Sequence, residues 1–417
     1  MSWAELPSEI LQQITKILGR DLSQFRLACN WWYQQAYGFP YHQFKVTGNV
    51  FEFTDIISKS PCHPGDIVRS ITFTDDFAIS DFNGRLKQIV DTIFRACPNI
   101  ESIHCSPLAR NLIWPCIIDN VNKNRCLQRV KYVGESSNML TKYLKTDEES
   151  DLLYVHVMYA LRESITLLKL FNDGYHNLLP AFAALRNRLC CFKSLTALRL
   201  HGCFAIEELN TILDSCQTIQ VLIIFNDQLK PCIFGLMPSV PVTPHMRLRH
   251  LQIQNGLAQD RKDIEFILQK FPSLDSCVLE RIDLVHQNDI ALDATVQQLI
   301  RFGMQIKDFN VRFCHDSYPL SKLRTCLYHL ESSMSVFVDI CFTLDREMSH
   351  VHINKCNTKV SIYIAWDNSS ASLDDLSSLS DLCNHASVQT KIHGKTTDAA
   401  KLAFLNSMTQ NTIELCQ

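Results

Sequence analysis

Apolar residues recur along most of this chain in short runs with one spacing, at positions one, four and six of a six-residue window. Six runs carry it cleanly: "ITLLKL" from Ile165, "LTALRL" from Leu195, "IQVLII" from Ile219, "LRHLQI" from Leu248, "LDSCVL" from Leu274 and "IKDFNV" from Ile306. Their starts lie 24 to 32 residues apart. Within each run the spacing predicts a short strand, because alternate side chains point to opposite faces. Weaker copies begin at Val68 ("VRSITF"), Ile100 ("IESIHC") and Leu127 ("LQRVKY"). Between runs, stretches such as "LKQIVDTIFRACP" have the three-and-four spacing of an amphipathic helix. Towards the C-terminus "SVFVDICF", "KVSIYIAW", "SVQTKI" and "TIELC" read as strands, and "LDDLSSLSDLCNHA" and "DAAKLAFLNSMTQ" as helices, but the leucine template has faded.

A strand and helix repeated at this period resemble leucine-rich repeats. Position nine, commonly asparagine or cysteine in that template, holds Asp173, Cys203, Asp227 and Cys314 in four of the six runs. One such unit cannot bury its apolar face alone, so neighbours stack into a curved solenoid. Two stretches break the rhythm: a polar, acidic one at 134–151 and a proline-rich, apolar one at 230–247, both expected to be loops on one face. Ile233, Phe234, Leu236 and Met237 in the second should fold back on the repeats or meet a partner. Positions five and seven should line the strand face away from the core. That face offers Lys169, Phe171, Arg199, His201, Phe225, Gln252, Gln254, Glu280, Asn310 and Arg312, with Ile223 and Val278 among them, as a surface for a protein substrate. Aromatic and arginine side chains carry much of the energy at such surfaces.

Residues 1–40 have a different pattern. Leu6-Pro7 sets an extended residue before a helix start. Ile10, Leu11, Ile14, Ile17 and Leu18 then form one apolar face, and Gly19 suits the helix end. Asp21 and Gln24 have the spacing of a capping box, and Leu22, Phe25, Cys29 and Trp32 mark a second stripe. The order "LPSEIL", then "DL" at Asp21-Leu22, then "RLACNWW" from Arg26 to Trp32 resembles an F-box. Ala28 replaces the usual valine and Asn30 a common lysine. The resemblance implies docking onto a Skp-type adaptor through Leu6, Pro7, Ile10, Leu11, Ile14, Leu22, Leu27, Cys29 and Trp32, and through it attachment to a cullin-RING scaffold. Five or six buried anchors would contribute on the order of 10 kcal/mol gross, against several for association. A helical cap on the end of the solenoid needs apolar stripes but not this residue order.

The expected fold is therefore α/β: a short helical F-box over 1–40, then a curved leucine-rich-repeat solenoid over 41–417 with a parallel concave sheet and convex helices. F-boxes precede such repeats in a known subfamily, the substrate receptors of SCF ubiquitin ligases, which this chain resembles. The implied function is a non-catalytic subunit that binds a protein substrate and promotes its ubiquitination and degradation. The alternative is a leucine-rich scaffold or inhibitor without ubiquitin transfer.

Composition narrows the remaining classes. Forty basic against 43 acidic residues give a net charge of -3, with no basic excess for nucleic acid. The 18 cysteines include no CxxC pair and suit small apolar packing in a reducing compartment, cytoplasm or nucleus. The first residues lack the features of a signal peptide, and the apolar uncharged stretch from Pro231 to Met246 carries four prolines, so neither secretion nor a membrane span is expected. The sequon at Asn368 stands alone. No two of the 12 glycines are close enough for a phosphate loop, and GxSxG and HExxH are absent. His350 and His352 would share a strand face but have no clustered third ligand, so no metal or other cofactor is expected. His201 beside Gly202 and Cys203 is explained by its place in a repeat rather than as part of a Cys/His nucleophile.

Overall fold

The computed structural model of the chain describes residues 43–47, 50, 54, 64–79, 85–124, 127–135, 148–171, 180–202, 204, 206–225, 242–254, 261–283, 298–299, 301–314, 336–343, 350–356, 359–367, 388–394 and 412–414. The fold is α/β, with two sheets built mainly of parallel strands. The chain divides into two compact units, Met1–Leu168 with Ala181–Leu195, and Lys169–Pro180 with Thr196–Gln417.

The first unit holds a four-stranded parallel sheet in chain order: β1 (Gln43–Val46), β2 (Ser70–Phe73), β3 (Ser102–Cys105) and β4 (Tyr132–Glu135). Its helices are α1 (Asp75–Ile79), α2 (Leu86–Ala96), α3 (Pro107–Asn124) and α4 (Glu148–Ala160). Val68, Ile71 and Phe73, at positions one, four and six, are wholly buried, as are Ile100, Ile103 and Cys105. The buried stripe of α2, Ile89, Val90, Ile93 and Phe94, closes over them. The Phe94 ring meets Phe73 edge-on at 6.1 Å, and Phe77 of α1 lies 5.4 Å from Phe73. Asn120 ties α3 to α2 by donating to Asp91 Oδ1 at 2.6 Å, and Trp114 ties α3 to α4 through Tyr154 at 5.5 Å. Gly65 is needed because a Cβ there would fall 1.9 Å from the Ala96 carbonyl oxygen.

The copy read from Leu127 starts three residues later. Val130 and Val133 are the buried positions one and four, and β4 starts at position three of that frame, as β2 and β3 do in theirs. Leu127 is a buried turn residue at φ 67 whose carbonyl accepts the Val130 N–H.

Among the described residues the second unit's sheet has eleven strands. Five are β5 (Leu167–Phe171, which begins in the first unit), β6 (Ala197–His201), β7 (Val221–Phe225), β8 (His250–Gln254) and β9 (Ser276–Asp283). β10 (Asp308–Cys314) follows β9 in parallel. The helices α6 (Ile206–Ser215) and α7 (Arg261–Lys270) lie between the sheet's strands in sequence, while α5 (Pro180–Arg186) belongs from Ala181 onward to the first unit. One bond recurs in both units. The carbonyl of the residue at position two accepts the N–H groups of positions two and three in the next copy: Arg69 from Glu101 and Ser102, Glu101 from Lys131 and Tyr132, Lys131 from Thr166 and Leu167. Thr196, Gln220 and Arg249 do the same in the second unit. Successive strands therefore start level, Ala197 beside Val221, His250 and Ser276.

At the C-terminal end the all-parallel expectation fails. The remaining strands are β11 (Val336–Thr343), β12 (His350–Cys356), β13 (Lys359–Asp367), β14 (Val388–Gly394) and β15 (Thr412–Glu414). β12 lies antiparallel between β10 and β13, and the sheet continues β13, β11, β14, β15. Two residues separate β12 from β13, too few for the crossover that parallel neighbours require.

Lys270 at the end of α7 is fully buried, and its ammonium donates to Asn210 Oδ1 at 2.5 Å and Asp214 Oδ1 at 2.7 Å on α6. A lone buried ammonium is costly; here two oxygens compensate it. Lys270→Met keeps the stem and removes the donors, leaving Asn210 Oδ1 buried without its partner. We expect a loss of roughly 1–3 kcal/mol, and for Lys270→Ala, with added loss of packing, roughly 2–4 kcal/mol. Urea unfolding measures both; a Met variant as stable as wild type would show that the ammonium contributes nothing.

Candidate functional site

The outward face of β5 to β8 is the candidate site. In all four strands positions four and six are buried while three, five and seven are half-buried. The level register sets position five in single file, Arg199 beside Ile223, then Gln252, Val278 and Asn310. Position seven forms a second file, His201 beside Phe225 and Phe225 beside Gln254. Lys169 and Phe171 occupy the same two positions in β5. The residues expected to share a face from Lys169 to Gln254 do share one.

The file breaks at β9. Val311 aligns with Leu279 but Phe313 with Ile282, so Glu280 and Arg281 together stand against Arg312. This is a β-bulge, in which the extra residue disrupts local pairing. Glu280 therefore does not simply extend the second file. Arg312 aligns on its other side with His352, which aligns in turn with Tyr363.

Three rings stack across the second file. His201 lies 5.0 Å from Phe171 with an interplanar angle of 21°, and 4.7 Å from Phe225 at 17°. Gly202, at φ 98, turns the chain out of β6, and its N–H donates to the Phe225 carbonyl at 2.8 Å. That conformation suits glycine and fixes the ends of β6 and β7 beside the rings. Both ring nitrogens of His201 are buried without a hydrogen-bond partner, as is Nε of Arg199. No acidic residue occupies positions three, five or seven of β5 to β8. Burial, then the positive charges of Lys169 and Arg199, push the His201 pKa down from 6.5 to about 4. Burial also lowers that of His250. The face is thus apolar at its rings and cationic at Lys169 and Arg199, with a neutral imidazole between.

Copies in each unit also carry an anchor that the six-residue template does not contain. In six copies a buried side chain stands three residues before position one: Cys97, Leu127, Phe192, Cys216, His245 and Phe271. Its signal is a cysteine or large apolar residue three places before the window, followed by a turn. His245 is the polar exception. Its Nε2 lies 3.1 Å from the carbonyl of Cys216, the same position one copy earlier, and its N–H donates to the Lys270 carbonyl at 2.7 Å. A carbonyl only accepts, so Nε2 carries the hydrogen. The end of the 230–247 insertion is thereby pinned to its own unit; Ile233, Phe234, Leu236 and Met237 lie outside the described residues. So do most of the 134–151 insertion and Asp173, Cys203 and Asp227. The buried cysteines behave as small apolar residues: burial raises the thiols of Cys97 to about 12 and Cys116 to about 11, aided by Asp66 and Asp91 respectively.

The expected adaptor-facing residues, Leu6, Pro7, Ile10, Leu11, Ile14, Leu22, Leu27, Cys29 and Trp32, all lie outside the described residues. Among the described residues no helix is long and apolar enough to cross a membrane. Nor do three His, Cys, Asp or Glu side chains among them gather to hold a metal ion. No protein-family model matches the chain, and no curated protein matches it either. The likeness to an F-box thus stands on residue order, and the likeness to leucine-rich repeats on spacing.

Between pH 6.5 and about 4 the unfolded chain binds a proton at residue 201 that the folded chain does not, so stability falls as pH drops through that window. The shift corresponds to at most roughly 3 kcal/mol. His201→Gln should flatten the dependence of the urea midpoint on pH between 7.5 and 4.5 relative to wild type; the difference between the two proteins cancels the other histidines. Parallel profiles would exclude a buried neutral imidazole.

Proposed function

We propose that this chain is the substrate-recognition subunit of an SCF-type ubiquitin ligase. The observation that carries the recognition half is the file of half-buried side chains on β5 to β8, held level by the backbone and made of rings and cations. Aromatic and arginine side chains on a fixed backbone suit protein binding. The ligase half is supported by the residue order from Leu6 to Trp32. In this reading residues 41–417 form a curved leucine-rich solenoid, supported by the recurrence of one strand frame and one carbonyl bond. The helices of 1–40 bind a Skp-type adaptor and, through it, the cullin-RING scaffold. The protein's contribution to ubiquitin transfer is proximity, which raises the effective concentration of substrate near the charged E2 without acid, base, nucleophile or cofactor of its own. It works in the cytoplasm or nucleus and engages neither nucleic acid nor membrane.

The same strand face would serve a scaffold or inhibitor that never meets the adaptor, so the adaptor decides. Full-length protein should retain a Skp-type adaptor in a pull-down. Leu6→Ala with Trp32→Ala should reduce retention at least tenfold, because two buried anchors correspond to roughly 3–6 kcal/mol. Wild type that fails to bind, or a double variant that binds equally, removes the ligase reading. Deleting residues 1–38 then separates the two: a receptor loses its effect on partner abundance, a scaffold keeps its effect.

A further inference from the structure

We propose that the exposed leucines of α3 and α4 in the first unit, Leu108, Leu112 and Leu152, are the docking site for the chain's own N-terminal segment, received through Ile17, Leu18 and Phe25. The proposal rests on the reading of residues 1–40 as apolar-striped helices and adds where the rest of their apolar surface goes.

The patch stands apart within this protein. Four large apolar side chains are exposed among the described residues: Leu108 at 57%, Leu112 at 40%, Leu152 at 47% and Met246 at 59%. Three of the four fall on two helices that pack on one another. Leu108 and Leu112 lie one turn apart on α3 and share a face, which the exposed Pro115 continues. Trp114 of α3 meets Tyr154 of α4 at 5.5 Å, and Leu112 and Leu152 each stand two residues before one of those rings. In the neighbouring α2 the apolar side chains turn inward, and Lys87, Gln88 and Arg95 are the exposed ones.

Charge marks where the patch ends. From Pro107 to Ile118 the single charged residue is Arg110, and it is buried. The next residue, Asp119, opens a charged edge, paired with Lys87 and Lys123. An apolar centre with ion pairs at its rim is how interfaces are built. A helix that is apolar on its outer face as well as its inner one is built to be covered on both.

Magnitudes choose the occupant. Together the three leucines leave about one and a half side chains' worth of apolar surface uncovered. Two such patches face to face would favour a dimer by a gross factor of roughly a thousand to a million. The loss of translational and rotational freedom on association offsets that factor or exceeds it. A segment of the same chain avoids most of this cost, because a short linker holds it at an effective concentration of about millimolar. The linker has the length. Ten residues, 33–42, separate Trp32 from β1, and such a stretch spans up to about 33 Å. β1 and β4 are the outer strands of a four-stranded sheet, about 15 Å apart, and α3 packs on β3.

The segment also has side chains to fill the site. Ile17 and Leu18 belong to its first apolar stripe and Phe25 to its second, and none of them is in the set turned toward the adaptor. The two sets are disjoint, so docking on α3 and α4 leaves the adaptor residues available.

The test uses the full chain with photoreactive p-benzoylphenylalanine in place of Leu108 and, in a second protein, in place of Leu152. Both positions are exposed, so the probe displaces nothing from the core. Irradiated in dilute solution, each protein should couple internally to a peptide from residues 10–32, identified by mass spectrometry. Ile17→Asp with Phe25→Asp should lower the yield at least fivefold, while Ile17→Leu with Phe25→Leu keeps it within twofold. Leu6→Ala with Trp32→Ala, in the adaptor-facing set, should also leave it within twofold. A product of twice the mass, coupling to any other part of the chain, or no coupling from either probe overturns the proposal. So does a yield that Ile17→Asp with Phe25→Asp leaves unchanged. Adaptor retention by the same proteins keeps the two readings apart: coupling without retention defeats the ligase assignment alone, and retention without coupling defeats this proposal alone.

Discussion

The carbonyl at position two is the bond on which the rest of this structure depends. At Arg69, Glu101, Lys131, Thr196, Gln220 and Arg249 it accepts two N–H groups from the start of the next copy, and at Asp275 one, so at those six junctions a strand cannot slide along its neighbour without breaking two bonds at once. A slip of one residue would also exchange buried and outward positions. Level starts put positions one, four and six in register, which is why Ile71 packs in line with Ile103, and Leu222 with Leu251. The same constraint acts on the other face. It brings Arg199 and His201 alongside Ile223 and Phe225, although 24 residues separate the corresponding positions in the chain. The stack and the cationic row are by-products of the register that closes the core.

This division explains which parts of the fold were legible in the sequence. Core positions must be apolar in every copy, so repetition marks them, and the frames from Val68, Ile100, Ile165, Leu195, Ile219, Leu248, Leu274 and Ile306 all hold. The frame at Leu127 misled because Leu127 is apolar, buried and three residues before the buried Val130, the spacing of positions one and four, yet serves the turn. The anchor three residues before position one escaped notice because it is filled by cysteine, leucine, phenylalanine or histidine, with no shared residue type. The β9 bulge and the antiparallel β12 left no periodic trace: "HVHINKC" alternates like any strand, and direction is not written in alternation. Only the two-residue gap before β13 carried that information.

The site was legible to the extent that it inherits the register. Lys169, Phe171, Arg199, His201, Phe225, Gln252 and Gln254 fall where position counting sets them. What position counting does not supply is the relation between them. That His201 is sandwiched between two rings, that its nitrogens find no acceptor, and that Arg199 lacks a carboxylate neighbour follow from which copies are adjacent and how close their side chains come.

Outward positions are free to vary because nothing in the core depends on them, and that freedom makes the absence of acid on β5 to β8 informative. The chain has acid to spare, 43 residues against 40 basic ones, and uses it at position two, where Glu101 pairs with Lys131 at 2.8 Å and Asp275 lies near Arg249. Those pairs are solvent-exposed and worth little individually. On the half-buried face positions three, five and seven of β5 to β8 carry no acid, and Nε of Arg199 and both ring nitrogens of His201 are buried there without a hydrogen-bond partner. The register that closes the core thus leaves polar atoms on the opposite face that the core gains nothing by satisfying.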